Sequence, residues 1–159
     1  MKLKTLACMT LAILPFAGTS AYAQDGDTIK IGVIAALTGP FVNIGKPFED
    51  GIKTYMKLNG DKVAGKKIEI IYRDDGGSNV ELSKRAAQEL ISREKVSFLV
   101  GFSLTPSALA VAPVATQGKV PMIVMNAVTT GIPQRSPYIV RTGFTLAEAD
   151  VLRKAVGKK

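Results

Sequence analysis

Two short runs carry residues whose types and spacing could do chemistry. Gly101-Phe102-Ser103-Leu104-Thr105 half-resembles the G-x-S-x-G turn that presents a serine nucleophile. Its last glycine is missing, and the chain has no His to act as a base, which argues against a serine hydrolase. Thr105 precedes Pro106, so the pair reads as a helix cap followed by proline at the first helical position. Free N–H groups and the helix dipole also favour an anion there, and a hydroxyl can add a further hydrogen bond. The plain cap is the commoner use of such a threonine, and the motif alone leaves both readings open. Asp74-Asp75 could hold a divalent metal or take a phosphoryl group, although paired acids more often cap the helix that follows. Neither G-x-G-x-x-G nor G-x-x-x-x-G-K-[ST] occurs, and no cofactor is implied. The single cysteine, Cys8, excludes an internal disulfide framework and a cysteine zinc cluster.

The elements that must position these residues alternate between strand and helix. Ile29, Ile31 and Val33 followed by an apolar run at 34–37 predict a buried parallel strand, closed by Thr38-Gly39-Pro40. A helix is expected over 46–59, with Pro47, Glu49 and Asp50 in its first turn and Gly51 packed on the sheet. Strands are expected at 67–73, 96–100, 120–125 and 138–141. Ser78 and Glu81 read as a capping box for a helix to about residue 93, buried through Val80, Ala87, Leu90 and Ile91. A further helix should run from Thr105 to 117, stopped by Gly118 and kinked or shortened by Pro113; Thr145 and Glu148 could cap a last one. The order implies an α/β fold, a three-layer parallel sheet with helices on both faces. Ligands of such sheets bind beyond the carboxyl ends of the strands. That rule selects segments 37–42, 74–78, 101–105 and 126–130.

Residues 1–23 read as an export signal. Lys2 and Lys4 precede a mostly apolar run, and Ala21-Tyr22-Ala23 has the small-x-small cleavage pattern. Cleavage after Ala23 would remove Cys8 and leave a chain without a membrane span. The net charge of +8 is dispersed among acids apart from a basic tail, which argues against a nucleic-acid partner. Residues 24–145 form the domain proper, and 146–159 a basic tail that a truncation would leave as a non-native end.

Four blocks in order carry a family resemblance: "IKIGVIAALTGPFVNIGKPFEDGIKTYMKLNG", "IEIIYRDD", "VSFLVGFSLTPSALAVAPVATQGKVPMIVMNA" and "SPYIVRTGFT". Together they resemble the amino-terminal lobe of the leucine/isoleucine/valine-binding type of ABC-transporter substrate-binding protein, with a type I periplasmic-binding-protein fold. The resemblance implies a periplasmic protein that catalyses nothing. It would take a branched-chain amino acid, or a related small amino or carboxylic acid, between two lobes and hand it to an inner-membrane ABC permease. By resemblance the carboxylate-binding hydroxyl maps onto Thr105, and the second ligand loop onto Asn126, Ala127 and Val128. Branched-chain receptors carry a threonine where this chain has Val128, and Thr129 is the neighbouring hydroxyl that could substitute. Phe41 and Ile44 would lie near the side-chain end of the pocket. "PMIVMNA" looks closer to members that take aromatic acids or other carboxylates than to strict leucine receptors. Since the resemblance covers only the first lobe, the chain reads as a truncated form. The rival readings are an exported ligand-sensing domain of the same fold and an exported α/β enzyme using Asp74 and Asp75.

Cleavage after Ala23 is checked by the intact mass of the exported protein, which should equal that of residues 24–159. A mature species that retains Cys8 would rule this out.

Overall fold

The computed structural model describes residues 28–77 and 79–157. The expected signal at 1–23, the Ser78 cap and the last two lysines therefore lie outside the described residues. Six strands form one sheet in the order β2-β3-β1-β4-β5-β6. They are β1 (Thr28–Ala35), β2 (Lys62–Val63), β3 (Lys66–Asp74), β4 (Phe98–Gly101), β5 (Met122–Val124) and β6 (Ile139–Arg141). All neighbouring pairs are parallel except β2 with β3. The helices are α1 (Val42–Asn59), α2 (Val80–Ser92), α3 (Thr105–Gly118) and α4 (Leu146–Val156). The expected α/β class and parallel sheet hold. The sequence reading missed β2, which is joined to β3 by Ala64 and Gly65, both at positive φ (51° and 81°). Two such residues make the tight turn whose twist matches a two-strand ribbon.

Alternation along the strands divides the apolar residues between two faces. Ile34, Leu99, Met122, Val124 and Ile139 meet Ala86, Ala87 and Leu90 of α2 and Ala108, Val111, Ala112 and Ala115 of α3 in a buried core. The alanines let the two helices and the sheet approach closely, and this face is densely filled. On the opposite face Ile31, Ile68, Ile70, Val100, Ile123 and Met125 look toward Phe48, Ile52 and Met56 of α1 across an apolar cavity of about 540 Å³.

Several local expectations are corrected. Helix α1 starts at Val42, so Pro47 lies inside it and no acid occupies its first turn. Glu49 and Asp50 instead pair with Lys46, each at 2.8 Å, and Glu49 also pairs with Lys53. A Cβ on Gly51 would meet nothing within 4 Å, whereas one on Gly45 would stand 2.2 Å from the Ala36 carbonyl oxygen. Gly45, not Gly51, is where α1 meets the sheet, because there is no room for a side chain. Helix α2 is capped by Asn79, whose side chain accepts from the Leu82 N–H at 3.0 Å. Val80 is exposed, and Ser83 takes its place in the buried stripe. Helix α3 runs through Pro113 and includes Gly118, and the left-handed residue that ends it is Lys119 (φ 54°). Its cap is Leu104, so Thr105 is the first residue of the helix. The capping box of Thr145 and Glu148 at α4 is present as expected.

The two α1 glycines should respond oppositely to alanine. Gly45→Ala forces backbone apart and should destabilise by about 1–3 kcal/mol or more. Gly51→Ala should stabilise by about 0.5–1 kcal/mol, the ordinary gain of alanine over glycine in a helix. Urea midpoints of the two variants read this directly; equal shifts would contradict the close approach at Gly45.

Candidate functional site

The strand order reverses direction at β1, which has β3 on one side and β4 on the other. The loops after β1 and β4 therefore flank the crevice where open α/β sheets place their ligands. Hydrogen bonds weave these loops into one edge. The Ala36 N–H donates to the buried Ser103 hydroxyl at 3.0 Å. Asn126 donates its side-chain N–H to the Ser103 carbonyl at 2.8 Å, and the Ala127 N–H donates to the Phe102 carbonyl at 3.0 Å. Behind them the chain turns through Gly101 (φ 112°) and Phe102 (φ 66°), and Phe102 is wholly buried. A Cβ at Gly101 would lie 2.4 Å from the Ile34 carbonyl oxygen, so only glycine fits there. Non-glycine residues at positive φ are costly and concentrate at sites where geometry is fixed for use.

Ser103 is thus engaged from both sides and fully buried, consistent with the case against a serine nucleophile. Thr105 and Thr129 meet instead: their hydroxyls are 2.8 Å apart, half-buried, at the start of α3. This pair joins two of the positions singled out by resemblance. A hydroxyl pair shares one proton internally and keeps one O–H to donate outward, along with acceptor lone pairs. The first intrahelical bond of α3 is Ala108 N–H to the Leu104 carbonyl at 3.2 Å, and Pro106 has no N–H. The early N–H groups of Thr105 and Ser107 therefore have no partner within the helix.

The other candidates serve the edge in different ways. The side chain of Ala127 is buried. Val128 is half-buried, and its carbonyl accepts from the Leu146 N–H at 3.1 Å. Phe41 is 38% exposed and ends the short 3₁₀ turn before α1. Its ring and Pro40 lie against Gly77, so the loops after β1 and β3 touch. None of the seven residues named by resemblance, Ile44 included, lines the cavity under α1. They lie in the loops that follow β1 and β5, in the first turn of α1 and in the first residue of α3.

The two acids do not cap α2 as expected. The Asp74 carboxylate ties two loops together, accepting from the N–H groups of Leu37 (2.9 Å), Thr38 (3.3 Å) and Gly76 (3.0 Å) and from the Thr38 hydroxyl. Asp75 is fully buried and accepts from the Ser107 hydroxyl at 2.8 Å and the Gly77 N–H at 3.0 Å. Among the described residues no group of three or more potential metal ligands occurs. The sequence reading missed Arg141, whose guanidinium donates to the Thr129 carbonyl. An arginine at a strand's carboxyl end, beside a predicted ligand loop, was the available signal.

Comparison with known proteins agrees with this fold. The family model described as periplasmic binding protein matches residues 28–158. The Leu/Ile/Val-binding protein homolog 6 of Brucella abortus (strain 2308) is 46% identical over 143 residues, covering 90% of this chain and 36% of that protein. A solute-binding protein of an ABC transporter from Rhodopseudomonas palustris BisB5, solved with 3,4-dihydroxybenzoic acid, is 55% identical with a TM-score of 0.75, over 77% of this chain and 33% of that one. A second, from R. palustris with 4-hydroxybenzoate, is 45% identical with the same TM-score of 0.75, over 82% of this chain and 37% of that one. The chain thus spans about a third of the length of the relatives it matches.

The Asp74 tie has a pH signature. Burial pushes its pKa up, but the Thr38 hydroxyl and the N–H groups of Gly76, Leu37 and Thr38 outweigh that and hold the carboxyl below its usual value. A depressed folded pKa stabilises fully above the unfolded value, near 4, and that stability is lost as pH falls through the folded pKa. Asp74→Asn should therefore lower the urea midpoint at pH 7 and flatten its decline below about pH 4. An unchanged acid limb would show that the carboxylate does not hold the loops.

Proposed function

The chain belongs to the periplasmic binding protein family, and from that premise we propose that it supplies one wall of a binding site for a small carboxylic acid. The protein that carries it is the solute-binding component of an ABC transporter and delivers its ligand to an inner-membrane permease. The observation that carries this reading is the Thr105–Thr129 hydroxyl pair at the start of α3, on the carboxyl edge beside the topological switch point. Such a pair, with the early N–H groups of a helix, suits a carboxylate. Asn126, Ala127 and Val128 form the loop that presents Thr129, and Phe41, 38% exposed in the loop after β1, offers an aromatic side chain.

The charge pattern supports a carboxylate without an ammonium group. The acids at the edge, Asp74, Asp75 and Glu148, are all engaged: the first by three N–H groups and a hydroxyl, the second in full burial, the third by the Thr145 N–H. An α-amino group would then need an acid from elsewhere. The benzoates bound by the two R. palustris proteins have no such group, and they support an aromatic or similar acid over leucine. The same engagement of Asp74 and Asp75 supports binding over an enzymatic role for these acids.

A micromolar receptor binds with about −8 kcal/mol, and one wall holding half of that would bind with about −4, or millimolar affinity. In an NMR titration of the isotope-labelled chain, 4-hydroxybenzoate should shift residues 101–105 and 126–129 with a Kd of about 1 mM or weaker. Thr105→Ala should weaken it several-fold, and leucine should shift the same residues less. Shifts centred on another surface, or no effect of Thr105→Ala, would refute the site. Binding tighter than about 10 μM would refute the division of the site between two walls.

A further inference from the structure

The Thr105–Thr129 contact is a bond between two half-exposed hydroxyls. Alone it competes with water and is too weak to hold a loop in one place. The loop bearing Thr129 runs from β5 to β6, and its carbonyl is gripped twice. The Ile132 N–H donates to it at 3.3 Å, and the Arg141 guanidinium donates to it through Nη2. Arg141 is the last residue of β6, paired in register with Val124 of β5. It therefore reaches the loop from the rigid sheet. Its Nε is buried without a hydrogen-bond partner. An unsatisfied buried donor on a charged group costs stability, and such a group persists where its other bonds matter. The Arg141 charge also bears on Glu148 in the first turn of α4. That carboxyl is held below its usual range by the Thr145 N–H first, then by the Thr145 hydroxyl, with Arg141 adding to both. Glu148 is engaged with Thr145 at 2.6 Å and leaves the guanidinium to Thr129.

We propose that Arg141 is a positioning residue for the ligand: its grip on the Thr129 carbonyl holds the Thr129 hydroxyl beside Thr105 before the ligand arrives. The charge-assisted bond is about twice as strong as a neutral one. It fixes the peptide that carries the Thr129 hydroxyl, so the ordering cost of that contact is met on folding and not on binding. The inference rests on the carboxylate site proposed above.

The test is a double-mutant cycle on the chain with 4-hydroxybenzoate as the probe, read by NMR. Arg141→Met removes the donors and keeps much of the length; Thr129→Val removes the hydroxyl and keeps the shape. If Arg141 acts through Thr129, each single change should weaken binding about fivefold, and the pair should weaken it little more than either alone. In the free protein, Arg141→Met should also move the Thr105 and Thr129 signals and leave those of Ile34 and Leu99 in place. Losses that multiply to about 25-fold in the pair, or an Arg141→Met variant that binds like the parent, would overturn the proposal. Should Arg141→Met fail to fold, Arg141→Lys enters the same cycle with Thr129→Val under the same criteria. Failure of the site itself reads differently: Thr105→Ala would then leave binding unchanged, while the movement of Thr129 in the free Arg141 variant still reports the grip.

Discussion

A single buried carboxylate fixes the end of the molecule where the candidate site lies. Asp75 has no exposed surface, and it accepts from Ser107 in the first turn of α3. Ser107 in turn accepts from the Ser83 hydroxyl of α2 at 3.0 Å. One acid thus binds the end of β3 to the starts of both core helices. Removing a partner from a buried charge costs several kcal/mol, far more than an exposed ion pair contributes. The register of α3 is therefore not free to drift. Thr105 stands two residues before Ser107, and its place on the edge follows from that anchor.

The rest of the edge is built outward from this point. Ser103 receives the loops after β1 and β5, and Asp74 receives the loops after β1 and β3. Each loop is tied to a neighbour by side chain to backbone bonds. The contrast with the α1 side is sharp. There the sheet's isoleucines face a cavity, and α1 makes a close backbone approach where Gly45 meets Ala36. The side-chain ties are concentrated at the edge that carries the candidate site.

The sheet, its strand sequence and the edge segments were legible because hydrophobic alternation and turn residues are local signals. The ribbon of β2 was not, since two exposed residues carry no periodicity. The start of α1 was misplaced because Pro47 reads as a first-turn residue, yet here the helix continues through it. Thr105 was identified as important while its geometry was misassigned by one residue: Leu104 takes the cap, which frees the Thr105 hydroxyl to reach Thr129. The meeting of those two threonines joins residues 24 apart in sequence, and no pattern along the chain encodes it. The double role of Asp74 and Asp75 was hidden for the same reason. Their partners, Thr38 and Ser107, lie 36 and 32 positions away.

The ribbon of β2 with β3 also bears on how copies of the chain meet one another. A sheet's outer strand offers unpaired backbone groups that a second sheet can extend. Here that border is only two residues long, and Lys62, Lys66 and Lys67 crowd it, all exposed. A copy arriving edge to edge would set like charges within a few ångströms of each other. That repulsion acts over a screening length of about 8 Å at physiological salt and shortens as salt is added. The hairpin is thus an electrostatic fender at one margin of the sheet. Its protection is strongest in dilute buffer and weakest in concentrated salt.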